Sequence, residues 1–328
     1  VLARRGEPVA AAPAFVKTHS QGEFVFDHAW AEAARRGGLR YYPKLLVGVP
    51  FTPVTGPRLL VSPEAGPEEQ AALREALARA LVGFAESAGL SGVHVNFLQE
   101  EELEPLLEAG FLHRLGLQYH WSRGEARSFD DYLAQFNSKK RNQLKRERRE
   151  PAAQGLELCT LRGEALAGHA EVAFRLYLST VEKFSWGRQY LAPATFERWF
   201  EELRDVLELV VARDQAGEIV AGAVNFQKGP RLYGRYWGAF EERRHLHFNV
   251  CYYHAIEECC RRGLEVFEPG AGGEHKLVRG FAPTLTHSAH HLRDPRLAQA
   301  VASYLASERA AVRAEASALA DATGLSDR

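Results

Sequence analysis

Val93-His94-Val95-Asn96-Phe97 and Leu264-Glu265-Val266-Phe267-Glu268 are two short apolar strands set in the same frame. Each follows a predicted helix that stops at a glycine. Before the first, Pro67–Ala88 places Leu73, Leu77, Leu81 and Phe84 at helical spacing, with Pro67 near its start and Gly89 past its end. Before the second, His247–Arg262 carries Arg261 and Arg262 in its last turn, and Gly263 follows. From Phe97 to the Gly110-Phe111 pair is 14 residues, and from Phe267 to Gly280-Phe281 is also 14. Phe111 to His120 and Phe281 to His290 are each 9 residues, in likewise matched closing strands. Spacings that agree in order point to an internal duplication.

Working outward, the strand Val1-Leu2-Ala3-Arg4 runs into Gly6-Glu7-Pro8-Val9-Ala10-Ala11-Ala12-Pro13-Ala14-Phe15. Its counterpart, Leu209-Val210-Val211-Ala212-Arg213, runs into Gly217-Glu218-Ile219-Val220-Ala221-Gly222-Ala223-Val224-Asn225-Phe226. Each reads as a β-hairpin about a glycine turn. The repeat unit is hairpin, connecting strand, helix, strand, short helix, Gly-Phe, strand. A helix between two strands predicts a locally parallel pair inside a mixed sheet. The fold class is therefore α/β with mixed sheets, in two tandem lobes. The first lobe spans 1–124, the second 125–293, and an Ala-rich helix with a tail spans 294–328. Copy two opens with a largely helical stretch, Ser128–Glu208, that copy one lacks, and the chain contains no Met. Both observations predict that the first lobe is truncated at its N-terminus, by about 50 residues or more.

Lys plus Arg is 41 and Asp plus Glu is 42, a net charge of -1. That argues against a whole surface built to grip nucleic acid or an anionic membrane, so any anion site is a local patch. No apolar run approaches the roughly 20 residues a membrane span needs. Cys159, Cys251, Cys259 and Cys260 form no C-x-x-C pair and read as reduced thiols of a cytoplasmic protein.

At the junction of the copies, Ser128-Phe129-Asp130-Asp131 forms a capping box. The helix after it, Ser138–Arg149, holds seven basic residues and one acidic one.

The repeat unit resembles the GNAT, or acyl-CoA N-acyltransferase, fold. Two such units with a basic helix opening the second resemble the FemAB-like peptidoglycan biosynthesis/recognition family. The stretches that carry the likeness are Lys17–Asp27, Tyr41-Tyr42-Pro43-Lys44-Leu45, Val49–Gly56, Tyr233-Gly234-Arg235-Tyr236-Trp237-Gly238 and Phe267–Lys276. The likeness covers nearly the whole chain. It implies transfer of an acyl group from acyl-CoA (acetyl-CoA) to an amine. The FemAB side implies instead an aminoacyl group carried by tRNA and a peptidoglycan precursor as acceptor. A non-catalytic module that recognises an anionic cell-wall precursor is the third reading.

The strongest local candidate for chemistry is Glu268-Pro-Gly-Ala-Gly-Gly-Glu-His-Lys276. Gly270, Gly272 and Gly273 allow backbone N–H groups to converge on an anion, and Lys276 and Arg279 add charge. Glu268 or Glu274, with His275 as the alternative, is the candidate general base toward an amine. A second candidate is the loop with Thr52, Thr55, Gly56 and Arg58, placed where acyl-CoA enzymes bind pyrophosphate. Its three prolines remove N–H donors, however, and its counterpart Glu241–His247 has no glycine. Lys139, Lys140, Arg141 and Lys145 of the basic helix would attract an anionic substrate. His19 and Glu23 belong to a polar cluster with Ser20 and Asp27; the cluster lacks the Gly-x-Ser-x-Gly elbow of a hydrolase and reads as a cleft wall. Tyr236 and Trp237 line the sheet or wall a substrate channel. The groups His245/His247 and His287/His290/His291 lack a carboxylate or Cys at ligand spacing, so no metal is expected.

Overall fold

The computed structural model describes residues 1–183 and 188–321. The described residues divide into two compact units, one of residues 1–118 and 284–318 and one of residues 119–183, 188–283 and 319–321.

The first unit contains β1 (Leu2–Arg4), β2 (Glu7–Ala11), β3 (Ala14–Lys17), α1 (His28–Arg36), β4 (Lys44–Val47) and β5 (Leu60–Val61). It continues through α2 (Pro67–Ser87), β6 (Gly92–Leu98) and α3 (Leu103–Glu108) into β7 (Leu112–Ser122). The second unit holds α4 (Phe129–Ala134), α5 (Ser138–Ala153), β8 (Glu157–Arg162), α6 (Ala170–Glu182), α7 (Pro193–Glu202), β9 (Leu207–Arg213), β10 (Ile219–Lys228) and β11 (Arg231–Ala239). There follow α8 (Leu246–Phe248), a π-helical turn (Asn249–Tyr253), α9 (His254–Arg262) and β12 (Val266–Glu268). The chain ends in β13 (Ala282–Leu292) and α10 (Pro295–Asp321).

The helix α2 forms as its sequence dictates. Pro67 stands at its first turn beside Glu68 and Glu69, and Gly89 with φ +66° ends it. Its buried face, Leu73, Leu77 and Leu81, packs with Leu45, Val47, Val93 and Val95 of β4 and β6. Burial of each such leucine contributes roughly 1.5–3 kcal/mol. The parallel pair expected around this helix is β4 with β6, Leu45 opposite Val93 and Val47 opposite Val95. Its counterpart in the second unit is β11 with β12.

The first unit's main sheet runs β3-β4-β6-β13, and the second unit's runs β7-β12-β11-β10-β9-β8. The closing strands have changed places. Strand β13, from copy two, lies antiparallel to β6 of copy one, with His290 opposite His94. Strand β7, from copy one, lies antiparallel to β12, with Trp121 opposite Phe267.

One sequence expectation changes. The first hairpin, β1–β2, joins β5 in a separate three-stranded sheet. Pro13, which has no N–H to donate, breaks the strand between β2 and β3. The matching position in copy two is Val224, so β10 continues through it, with a bulge at Val224/Asn225. The stretch before the second hairpin is largely helical, as expected, with α4, α5, α6 and α7; it also holds β8, which pairs with β9 at the sheet edge. Among the described residues no helix is long and apolar enough to cross a membrane.

Candidate functional site

In the second unit β11 and β12 are in register only from Arg231↔Val266 to Tyr233↔Glu268. Strand β12 ends there, while β11 runs on to Ala239. Beyond Tyr233 the edge of β11 faces the loop that leaves Glu268. That loop comes close: a Cβ on Gly234 would lie 3.2 Å from Pro269 Cα. Gly270, Gly272 and Gly273 all have positive φ (89°, 70° and 93°), so the three-glycine pattern answers to backbone shape. The loop closes in a short 3-10 helix, Glu274–Arg279, too short to carry a helix dipole of consequence.

Glu268 is buried at the strand end. Its Oε1 accepts from Arg231 Nη1 at 2.8 Å. Its Oε2 has no hydrogen-bond partner among the described residues, with His120 Nε2 3.7 Å away. Burial raises the Glu268 pKa, and the Arg231 guanidinium opposes the rise. Burial, helped by Arg231 and Lys276, lowers the His120 pKa to about 4, so this neighbour is a neutral ring at pH 7.

Lys276 is buried, and Nζ donates to Gly270 O at 2.7 Å, tying the loop to itself. Burial lowers its pKa to about 8. Arg279 points inward as well. It donates to Glu147 Oε2 (2.8 Å), Tyr253 Oη (2.8 Å) and His275 O (2.9 Å). His275 is exposed, and its Nε2 lies 2.9 Å from Tyr252 Oη. The side chain of Glu274 lies outside the described residues.

Trp237 packs on His247, with ring centroids 4.7 Å apart, at the start of α8. They line a cleft of about 390 Å³ with Ser179, Thr180, Lys183 and Leu246. Tyr236 turns the other way, into rings of Tyr177, Phe196 and Trp199.

On α5, Asn137 caps the first turn by accepting from Lys140 N at 3.0 Å. Lys139 is exposed. Lys140 is half-buried, and burial, then Arg279, lowers its pKa. Arg141 donates to Leu133 O (3.1 Å) and Phe136 O (2.9 Å) at the end of α4. Lys145 stands 3.9 Å from Asp130.

The remaining sequence candidates fall in the first unit. Arg58 is buried and donates to the carbonyls of Asn96 (2.8 Å), Pro57 (3.2 Å) and Val54 (2.6 Å). Thr52 Oγ1 donates to Pro50 O at 3.0 Å. Gly56 N donates to Phe97 O at 3.1 Å, and Thr55 is half-buried beside it. His19 is exposed and accepts from Gln21 N at 3.2 Å. Glu23 belongs to a buried network centred on Lys44, which donates to Ser20 Oγ (2.8 Å), Glu23 Oε2 (2.8 Å) and Asp27 Oδ2. Burial raises the Glu23 pKa against the pull of Lys44.

The structure thus brings Glu268, Gly270, Gly272, Gly273, His275, Lys276 and Arg279 together at one loop. Tyr252, Tyr253 and Glu147 join them from outside the sequence candidates. Tyr252 and Tyr253 sit on a π-turn, which a one-residue insertion into a helix creates and no residue pattern announces. Glu147 had a signal: it is the single acid of the basic run. Among the described residues no group of three His, Cys, Asp or Glu side chains is placed to hold a metal ion.

The family model of FemAB-like proteins, described as peptidoglycan biosynthesis/recognition, matches residues 1–326. The chain belongs to the FemAB-like family. Its α/β fold is found in solved structures at low identity. The crystal structure of FemX superposes with a TM-score of 0.54 at 13% identity, over 92% of this chain and 89% of that one. L-PGS from Bacillus licheniformis superposes with a TM-score of 0.52 at 10% identity, over 84% and 83%. No curated protein matches.

Proposed function

We propose that this FemAB-like protein transfers an acyl group from acyl-CoA to an amine acceptor, with Glu268 as general base. The observation that carries the reading is the Glu268 carboxylate. One oxygen is fixed by Arg231, the other is buried without a hydrogen-bond partner among the described residues, and burial raises its proton affinity. A carboxylate so held suits removal of a proton from an amine. The amine nitrogen attacks the thioester carbonyl and forms the C–N bond. Glu268 Oε2 takes the N–H proton, the C–S bond breaks, and the proton passes to the departing thiolate. The glycine loop and the β11 edge offer backbone N–H groups for the oxyanion. The cleft beside Trp237, His247 and Lys183 would take the donor. The family's description, peptidoglycan biosynthesis/recognition, supports an acceptor among cell-wall precursors.

A second donor is favoured by one observation. Lys139, Arg146 and Arg149 are exposed on α5 at spacings that share a helix face. Such a face suits the phosphates of an aminoacyl-tRNA. Thermal-shift measurements with acetyl-CoA, aminoacyl-tRNA and UDP-linked cell-wall precursors separate the donors, since a ligand that binds only the folded chain raises Tm. A shift with tRNA and none with CoA overturns the acyl-CoA reading. Glu268→Gln is expected to lower kcat by about 10²–10⁴-fold, measured by product mass spectrometry, with Tm unchanged within a few degrees. Wild-type turnover in that variant removes Glu268 from the mechanism. Precursor binding with no product from any donor leaves the recognition module.

A further inference from the structure

The basic run Ser138–Arg149 contains one acid, Glu147, and the structure buries it to 5% exposure. It shares the inner face of α5 with Leu144 and Pro151, at spacings of three and four. Both carboxylate oxygens are engaged. Oε1 accepts from Gln143 Nε2 at 2.8 Å. Oε2 accepts from Arg279 Nη2 at 2.8 Å and from Tyr253 Oη. Burial works to raise the Glu147 pKa, and these hydrogen bonds outweigh it, holding the group ionised. Arg279 in turn stacks on Phe248, 3.5 Å from the ring centroid, and donates Nη1 to the carbonyl of His275. Asn249 Nδ2 donates to the peptide oxygen of Glu147 at 2.7 Å, so the π-turn grips both ends of this residue.

We propose that Glu147 is a positioning residue for the Glu268–Arg279 loop, acting through Arg279. One end of the loop is held by Arg231 on Glu268, and the other by Glu147 on Arg279. The His275 backbone is fixed by Arg279 and its ring by Tyr252. A buried ion pair contributes little net stability over an apolar pair, whereas loss of one partner leaves a buried charge unmatched. The value of this pair is therefore geometric: it gives the loop one conformation, with α5 as its support. That places the basic helix and the glycine loop on one hydrogen-bonded frame within the second unit.

The role in transfer rests on the reading of this loop as the reacting centre, and the first test avoids that dependence. Amide hydrogen exchange is compared between wild type and Glu147→Gln, which keeps size and one acceptor oxygen but removes the charge. Exchange is expected to rise at least tenfold in residues 270–280, with β9, β10 and β11 unchanged. Unchanged exchange in the loop, or a rise spread evenly through the unit, overturns the proposal. Glu147→Asp is expected to restore part of the protection. If Glu147→Gln does not fold, Arg279→Lys makes the same prediction from the other partner. Where turnover is measurable, Glu147→Gln should lower kcat at least tenfold with the acceptor KM within twofold. Loosened exchange with no turnover in any variant, wild type included, defeats the transfer reading and leaves the positioning role standing.

Discussion

His94 and His120 are nearly inaccessible to solvent, at 1% and 8% exposure. Burial lowers the His94 pKa to about 3 and the His120 pKa to about 4. In the unfolded chain each returns to about 6.5. The folded value is depressed, so below pH 6.5 the unfolded state takes up the proton first, and stability falls as pH drops toward 4. For His120 that loss is about 2 kcal/mol between pH 7 and pH 5. Glu23 and Glu268 act in the opposite sense, because their raised pKa values stabilise the folded state at low pH and lose that contribution as pH rises through them. His120→Gln isolates one term. Urea unfolding at pH 7 and pH 5 should show a smaller acid loss in the variant than in wild type, by about 2 kcal/mol. Equal losses would mean that the ring is already solvated in the folded protein.

The elements meet through glycines that serve for lack of a side chain. In β11, a Cβ on Gly238 would lie 1.8 Å from Leu176 O and 2.6 Å from Ser179 Oγ of α6. The obstacle is helix backbone, which cannot swing aside, so Gly238→Ala should lift α6 off the sheet and cost about 3 kcal/mol or more. Gly83 in α2 is the contrast: it is exposed, and a Cβ there meets nothing within 4 Å. Gly83→Ala should stabilise by about 0.5–1 kcal/mol, since a mid-helix glycine only costs entropy. Melting temperatures of the two variants, moving in opposite directions, check both. What the sequence disclosed at this scale has a common cause. Helix stops and the Gly270–Gly273 turn are local, written in residues a few positions apart, and the parallel pairs follow from the order strand, helix, strand along the chain. The Glu147–Arg279 contact joins residues far apart in sequence, and nothing in either neighbourhood names the other. Arg58 shows a different obscurity. Beside threonines and a glycine it reads as a phosphate ligand. The prolines around it have carbonyls and no N–H, and the guanidinium supplies donors to that carbonyl-rich loop.

The duplication was legible because equal spacings survive when identities do not, yet equal spacing does not say which copy a closing strand joins. In the first unit β6 is buried along its whole length, between β4 and β13. Ala289 and His290 of β13 are buried against it. A fragment of residues 1–124 therefore lacks the strand that covers β6 and keeps an unpaired, apolar edge. Such a fragment is expected to aggregate or remain unfolded. Joining 1–118 to 284–321 restores the missing strand without the second unit. The ends to be joined are neighbours, since a Cβ on Gly116 would lie 2.7 Å from Thr286 Oγ1. A Gly/Ser linker of about six residues, reaching roughly 20 Å, suffices. Urea denaturation followed by circular dichroism should give a cooperative transition for the joined chain and none for 1–124. A cooperative transition in 1–124 alone would show that copy one can close its sheet with its own strand β7, and that the exchange adds no stability to this unit.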